Sequence, residues 1–406
     1  MRALASLDSS ARQYLLVTLN YWVFTLTDGA LRMLVLLYFH QLGYSPLQIA
    51  MLFLFYEFFG IVTNLVGGWL GARIGLNRTM NLGLLLQVLA LAALLVPENL
   101  LTVTWVMAAQ ALSGIAKDLN KMSAKSSVRL LAGTEQQSQL YRWVAVLTGS
   151  KNTLKGAGYF LGAALLNLLS FRGAVLVMII ALVATLLFSL MALQRDLGKA
   201  KSKPRFREIF SKSAAVNWLS FARFFLFSAR DVWFVVALPV YLSQTLGWQH
   251  WQVGAFFAFW IIGYGIIQAL APRITGTKSD HPPDGKGVFS WGLLLSVIPG
   301  LMALVLWAGY GSAWILITGL ALFGVVFAVN SAVHSFLIVS FAESDGVSLD
   351  VGFYYMANAA GRLVGTVLSG WVFQQWGLAA CLLLSAIFVF ISAITARRLP
   401  LNEVVM

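Results

Sequence analysis

Lys117, Lys121 and Lys125 recur every fourth residue in GIAKDLNKMSAKSS, and Lys151 and Lys155 repeat that spacing in GSKNTLKGAG. On an α-helix, side chains four apart share a face, so each set forms a stripe of ammonium groups. Arg32, Lys117, Lys121, Lys151, Lys155, Arg223, Arg230 and Arg362 all lie in stretches that otherwise read as membrane-spanning helix, accompanied by the carboxylates Asp28, Glu57, Asp118 and Asp231. A charge at mid-bilayer costs about 2.5–3.5 kcal/mol on insertion scales, so eight unrelieved cations would approach ~20 kcal/mol. Four acids cannot neutralise eight bases, so the surplus must face a wet cavity or meet an anion from outside. Arginine's planar fork grips phosphate-like oxyanions through paired hydrogen bonds, and lysine adds charge with less directional demand. The pattern therefore points to passage of a multiply charged anion, with Arg32, Lys117, Lys151, Lys155, Arg230, Asn358 and Arg362 as the expected substrate ligands.

Several neighbours qualify this set. Lys121 and Lys125 are close enough to the cytoplasmic end of their span to snorkel out of it. Lys155 is deeper, about 14 residues or roughly 20 Å along the helix from Tyr141. Arg32 has Asp28 one turn earlier as an alternative partner. Arg230 and Asp231 are adjacent, diverge by about 100° and are not expected to pair; no acid lies within one turn of Arg362. Asp28, Glu57, Asp118 and Asp231 have two open roles, carriers of a coupling proton or permanent counter-ions, and His334 is a further proton candidate.

The elements that must position these groups are helices. The chain has 406 residues, is 59% hydrophobic and 11% charged, and its mean hydropathy of +0.81 lies far above the soluble globular range. The net charge of +13 follows loops and membrane depth, which argues against nucleic acid as a partner. Cys381 is the only cysteine, so disulfide, thiol and metal-cluster chemistry are excluded, and no His and Cys grouping suggests an enzyme. No cofactor and no metal is expected. The first span carries Asp28 and Arg32, unlike a cleavable signal peptide.

Spans of about 20 apolar residues cross a hydrocarbon core, and twelve are readable, at about 14–40, 46–72, 79–96, 101–124, 141–169, 173–193, 214–243, 250–272, 287–309, 313–341, 350–375 and 378–396. The expectation is an all-α membrane protein. Arg73, Arg78, Arg129, the run from Arg195 to Lys212, Arg273, Lys278, Lys286, Arg397 and Arg398 occupy one side and Arg172 the other, which places both termini in the cytoplasm. The loop with Glu343, Asp345 and Asp350 is an acidic exception. The charged segment 194–213 divides the chain into six-helix halves, 1–193 and 214–406. A shift of 203 relates them: Asp28, Tyr38 and Gln41 fall on Asp231, Tyr241 and Gln244, while Gly149, Gly158 and Gly162 fall on Gly352, Gly361 and Gly365. The same shift places Lys155 on Asn358. Parallel repeats of this kind build one large transporter class, with the substrate site near the bilayer midplane.

The architecture resembles the major facilitator superfamily. After the second span, Gly68, Arg73, Gly75 and Arg78 match that family's G-x3-D-R-x-G-x2-R signature, with Ala72 in place of the acid. The resemblance implies a cytoplasmic latch; enforcement of topology by the two arginines is the other reading. Gly149, Gly158 and Gly162 resemble the start of the family's antiporter motif, with Ala163 where it has proline, and equally suit close helix packing. The twelve intramembrane charges fall in spans 1, 2, 4, 5, 7 and 11 and none in spans 3, 6, 9 or 12, the helices that are peripheral in this superfamily while the others enclose the cavity.

A narrower resemblance rests on NYWVFTLTDGALRMLVLLYFHQLGYSPLQIAMLFLFYEFFGIVTNLVGGW, AQALSGIAKDLNKMSAKSS and LTGSKNTLKGAGYFLG. These stretches are similar to the organoarsenical efflux permeases of the ArsJ family. The resemblance implies export of 1-arseno-3-phosphoglycerate across a bacterial inner membrane, arsenate resistance, and a functional link to a glyceraldehyde-3-phosphate dehydrogenase that makes the ester. Trivalent arsenic would demand several thiolates, which one cysteine cannot supply. An exchanger of organophosphates or organic acids for phosphate is the alternative from the same superfamily; an intramembrane enzyme or receptor is the remote one.

Overall fold

A computed structural model describes residues 9–43, 52, 54–132, 137–193, 197–201, 205–206, 213–275, 282–310 and 313–400. Arg195, Lys212 and Lys278, the start of the second span and the side chain of Glu57 lie outside the described residues. Among those described, the regular structure is helical: α1 (Ser9–Gln41), α2 (Leu54–Ile74), α3 (Leu76–Ala93), α4 (Val103–Ala132), α5 (Gln137–Ala192), α6 (Ala214–Phe234), α7 (Ala237–Gln244), α8 (His250–Ile274), α9 (Gly285–Trp307), α10 (Ala313–Phe341) and α11 (Val347–Ala396). Among the described residues, eight segments are long and apolar enough to cross a membrane, α6 and α7 together forming one of them.

Polarity is distributed as lipid requires. Trp314, Met191 and Leu168 are exposed by 80%, 81% and 76%, whereas Asn64, Gln87, Asn120, Gln268, Asp231 and His334 are fully buried. Outward apolar side chains suit acyl chains, and a helix satisfies its backbone polar groups internally.

Two helices break inside. Ser170 divides α5 at φ 61°, ψ 175°, and Gly377 divides α11 at φ 73°, ψ −173°. Both breaks fall where the sequence separates consecutive spans. This backbone region is readily available to glycine alone and costs other residues about 1–3 kcal/mol. Ser170→Gly is therefore expected to stabilise the protein by about 1 kcal/mol after glycine's greater unfolded-state entropy is offset; thermal unfolding in detergent checks this.

The described chain forms two compact units. Unit 1 comprises 1–136, 150–211 and 342–356; unit 2 comprises 137–149, 212–341 and 357–406. Unit 1 has a core of Phe24, Leu31, Leu34, Phe39, Leu84, Leu91, Phe171 and Met178, among others. In unit 2, Leu226, Trp233, Leu295, Phe323, Phe327 and Val389 form the counterpart, with Trp233 edge-on to Phe323 at 5.1 Å. Each core backs the helices that carry charge.

Candidate functional site

In unit 1, α5 crosses α1 at near backbone contact. A Cβ on Gly158 would stand 2.6 Å from the Leu26 carbonyl oxygen, one on Gly162 would overlap that of Ala30, and one on Gly29 would lie 2.7 Å from that of Lys155. Small residues permit this approach, which brings Lys155 to the turn of α1 that holds Asp28 and Arg32. Nearby, Trp22 Nε1 donates to Ser150 Oγ at 2.7 Å and Lys151 Nζ to Asn152 Oδ1 at 3.2 Å.

Two tyrosines that sequence reasoning missed organise Arg32, Lys117, Lys121 and Lys125. Tyr56 of α2 donates from its hydroxyl to Asp28 Oδ1 at 2.7 Å, and its ring carries Lys117 Nζ at 3.8 Å and the Arg32 guanidinium at 5.6 Å. Aromatic faces attract cations electrostatically, more so when water is excluded. Asp118 lies 2.5 Å from Lys121 and 3.8 Å from Lys117. Gly60 makes room for it, since a Cβ there would stand 2.9 Å from Asp118 Oδ2.

Tyr355, in the first turns of α11, accepts from Lys125 Nζ at 2.5 Å, and its ring lies 5.0 Å from Lys121 Nζ. The snorkelling expected for Lys125 does not occur, since it is 4% exposed, while Lys121, 15% exposed, pairs with Asp118. A phenol and a carboxylate within reach hold the ammonium groups in place of water.

In unit 2 the adjacency argument fails. Arg230 curls back on its neighbour, with Nη2 2.5 Å and Nε 2.6 Å from Asp231 Oδ1. A long guanidinium side chain can bend around a helix surface although the two Cβ directions diverge. Arg362 of α11 donates from Nε to the other oxygen, Oδ2, at 3.0 Å. The acid lacking within one turn of Arg362 is thus supplied by another helix. Two guanidiniums converge on one fully buried carboxylate while their own side chains remain 15% and 34% exposed. Gly365 admits Asp231 to this corner, since a Cβ on it would lie 3.0 Å from that of Asp231.

Deeper in the unit, Arg223 donates from Nε to Asn358 Oδ1 at 2.9 Å and from Nη1 to Ser331 Oγ at 3.0 Å. Ser331 also meets Tyr264 at 3.1 Å and Gln268 at 3.3 Å. Asn358, expected as a substrate ligand, has its oxygen committed to Arg223. His334 is fully buried, and neither ring nitrogen has a hydrogen-bond partner among the described residues.

The glycine crossings correct the internal repeat. Gly361 and Gly365 stand 203 residues after Gly158 and Gly162, but the carbonyls they meet, Phe224 and Ser228, stand 198 after Leu26 and Ala30. In contact register Asp28 therefore corresponds to Leu226, and its coincidence with Asp231 in the sequence has no structural counterpart. Arg32 corresponds instead to Arg230. The constant shift of 203 concealed this pair of arginines.

At the predicted latch, Gly68 packs on Gly352, where a Cβ would approach its Cα to 3.1 Å, and Ser348 Oγ donates to the Gly68 carbonyl at 2.7 Å. Arg73 lies 5.0 Å from the Trp69 ring; Gly75, at φ 102°, makes the turn; and Arg78 is exposed. Where the acid is missing, residues 197–201 of the charged segment dock. Ala200 N donates to the Ala72 carbonyl and Leu76 N to the Leu197 carbonyl, both at 2.8 Å, while Lys201 N reaches Asp345 Oδ1 at 3.0 Å. Phe206 lies edge-on to Trp69 at 5.7 Å. Gly198 sits at φ +73° with space for a Cβ blocked by Leu76 at 2.5 Å. Gly198→Val is expected to release this strap, raising hydrogen exchange at the Ala200 and Leu76 amides by about tenfold or more, for a loss of about 1.4 kcal/mol or more in local stability.

The Major Facilitator Superfamily model matches residues 17–283. The chain belongs to the Major Facilitator Superfamily. It is a multi-pass membrane transporter, not an enzyme. Among solved structures, the human organic anion transporter TETRAN superposes with a TM-score of 0.78 at 18% identity, covering 96% of this chain and 100% of that one. The E. coli fucose:proton symporter FucP gives a TM-score of 0.73 at 13% identity, covering 96% and 99%. A bacterial homologue of the iron transporter ferroportin, in an outward-facing state, gives 0.72 at 16% identity, covering 95% and 98%. At these identities the likeness is one of fold. No curated protein sequence matches the chain significantly.

Proposed function

We propose that this superfamily member exports an organic oxyanion, 1-arseno-3-phosphoglycerate, by alternating access, and so confers resistance to arsenate. The observation that carries the reading is the convergence of Arg230 and Arg362 on one carboxylate, Arg230 at 2.5 Å from Asp231 Oδ1 and Arg362 at 3.0 Å from Oδ2. That geometry accommodates an oxyanion through directed hydrogen bonds. Lys117, Lys151, Lys155 and Arg32 supply further positive charge, suited to a passenger with a phosphate at one end and an acyl arsenate at the other. The organic anion carried by TETRAN is consistent with this chemistry.

The arsenical itself is inferred from the resemblance of the first-half strings to ArsJ permeases. The same reading places twelve spans in a bacterial inner membrane, as six-helix halves 1–193 and 214–406 joined by 194–213, with both termini cytoplasmic. Asp28, Glu57, Asp118, Asp231 and His334 remain the groups available for proton coupling or charge balance. Asn358 serves mainly to hold Arg223. Gly68, Arg73, Gly75 and Arg78 form the latch turn, apart from the substrate ligands.

Everted vesicles supplied with glyceraldehyde-3-phosphate dehydrogenase, its substrates and radioactive arsenate are expected to accumulate label. Accumulation should require the dehydrogenase and should vanish with an uncoupler if protons drive it. Equal uptake without the dehydrogenase, or uptake of labelled phosphate alone, would instead identify a phosphate exchanger. Lys155→Ala cells are expected to lose most of the parent's arsenate resistance; growth at the parental level removes Lys155 from the site.

A further inference from the structure

We propose that the Asp231 carboxylate is a built-in competitor for the passenger anion: it occupies the guanidinium cradle of Arg230 and Arg362 in the empty carrier and is displaced from it when an external oxyanion binds. This rests on the reading of Arg230 and Arg362 as substrate ligands. Each oxygen of Asp231 is engaged by a different arginine, Oδ1 by Arg230 and Oδ2 by Arg362. A phosphoryl or arsenyl group presents the same pair of oxygens to the same donors. The arginines belong to α6 and α11, so the carboxylate spans two helices as a bound oxyanion would. It is itself fully buried, while the arginine side chains are 15% and 34% exposed, which leaves the cradle approachable from its arginine side.

The arrangement has a physical purpose. Converging cations with no anion between them repel one another and favour unspecific capture of chloride or phosphate. A tethered carboxylate satisfies them in the empty state and raises the threshold for binding. Weak monovalent anions fail to displace it, whereas an ester with a strongly charged terminal oxyanion succeeds. The internal acid lowers affinity for every anion by the same factor, so at ambient concentrations weakly held anions leave the cradle to Asp231 while a strongly held one fills it.

Two functions of Asp231 make opposite predictions. A carboxylate that merely positions the arginines would, on neutralisation, leave them misaligned and weaken binding. A competitor would, on neutralisation, vacate the cradle and strengthen it. The test is isothermal titration of the purified full-length protein in detergent with inorganic phosphate and with 3-phosphoglycerate. Parent, Asp231→Asn, Asp231→Ser, Asp231→Glu and Arg362→Ala are compared after each is verified as monodisperse with a cooperative thermal transition.

The expected result is affinity at least tenfold tighter in D231N or D231S, no tightening in D231E, and weaker binding in R362A. Unchanged or weaker binding in the folded neutral variants overturns the proposal, as does absence of binding by every protein. If parental binding survives intact in R362A, the oxyanion-site reading fails with it; if R362A loses binding but D231N does not gain, only the competitor role fails. Should neither neutral variant fold, infrared difference spectra of the unmodified protein decide. A carboxylate stretching band that shifts when phosphate is added supports displacement, and no such shift overturns it.

Discussion

Arg362→Ala is expected to weaken binding of inorganic phosphate or 3-phosphoglycerate by about 30-fold or more, the lower end of the roughly 2–5 kcal/mol lost when one member of a buried, hydrogen-bonded charge pair is removed. The side chain is 34% exposed, which favours the low end of that range. The mutation removes the donor to Asp231 Oδ2 and leaves the Arg230 contacts on Oδ1. Arg362→Lys should recover only part of the loss, because an ammonium restores charge but not the planar fork. Titration calorimetry on folded protein checks both. Equal affinities for the parent and the alanine variant would show that Arg362 is a structural counter-ion of Asp231.

The second large effect concerns packing. Gly361→Val should destabilise the protein by about 3 kcal/mol, since a well-packed crossing resists added methyl groups. Any Cβ at Gly361 would overlap the carbonyl oxygen of Phe224, a backbone atom that cannot rotate away. Separating α11 from α6 would also carry Arg362, the next residue, away from Asp231. Loss of monodisperse protein, or a large fall in thermal midpoint, is the expected reading. Gly370, on the same helix, has nothing within 4 Å of where a Cβ would stand, so Gly370→Ala should be neutral or slightly stabilising. If the two substitutions behave alike, the close crossing is not what the glycine secures.

Much of this molecule was legible because a membrane imposes few solutions. Runs of apolar residues gave the helices, and the gaps near 169–173 and 375–378 anticipated the breaks at Ser170 and Gly377. The ion-pair partners were harder to foresee. Helical azimuth describes where a Cβ points, not how far an arginine can curl, so the Arg230 contact with Asp231 was missed. The Arg362 contact with Asp231 joins residues 131 apart, and local spacing cannot report it. Position in the span puts Lys125 at the membrane edge, and nothing in local spacing reports that the Tyr355 hydroxyl, 230 residues away, accepts a hydrogen bond from its ammonium group. Tyr56 carried no distinguishing signal beyond its place beside Glu57. The repeat shift points to Asn358 as the counterpart of Lys155; in the structure its oxygen accepts from Arg223.

The interval from Phe224 to Gly361 is five residues longer than that from Leu26 to Gly158, although both pairs make the same kind of helix crossing. The two crossings thus keep one geometry over chain intervals of unequal length, the difference falling to the segments between them, where changes of length are accepted, while the spacing from crossing to arginine is six residues in both. Likeness between such crossings lies in which backbone atoms meet, not in a constant offset along the string of letters.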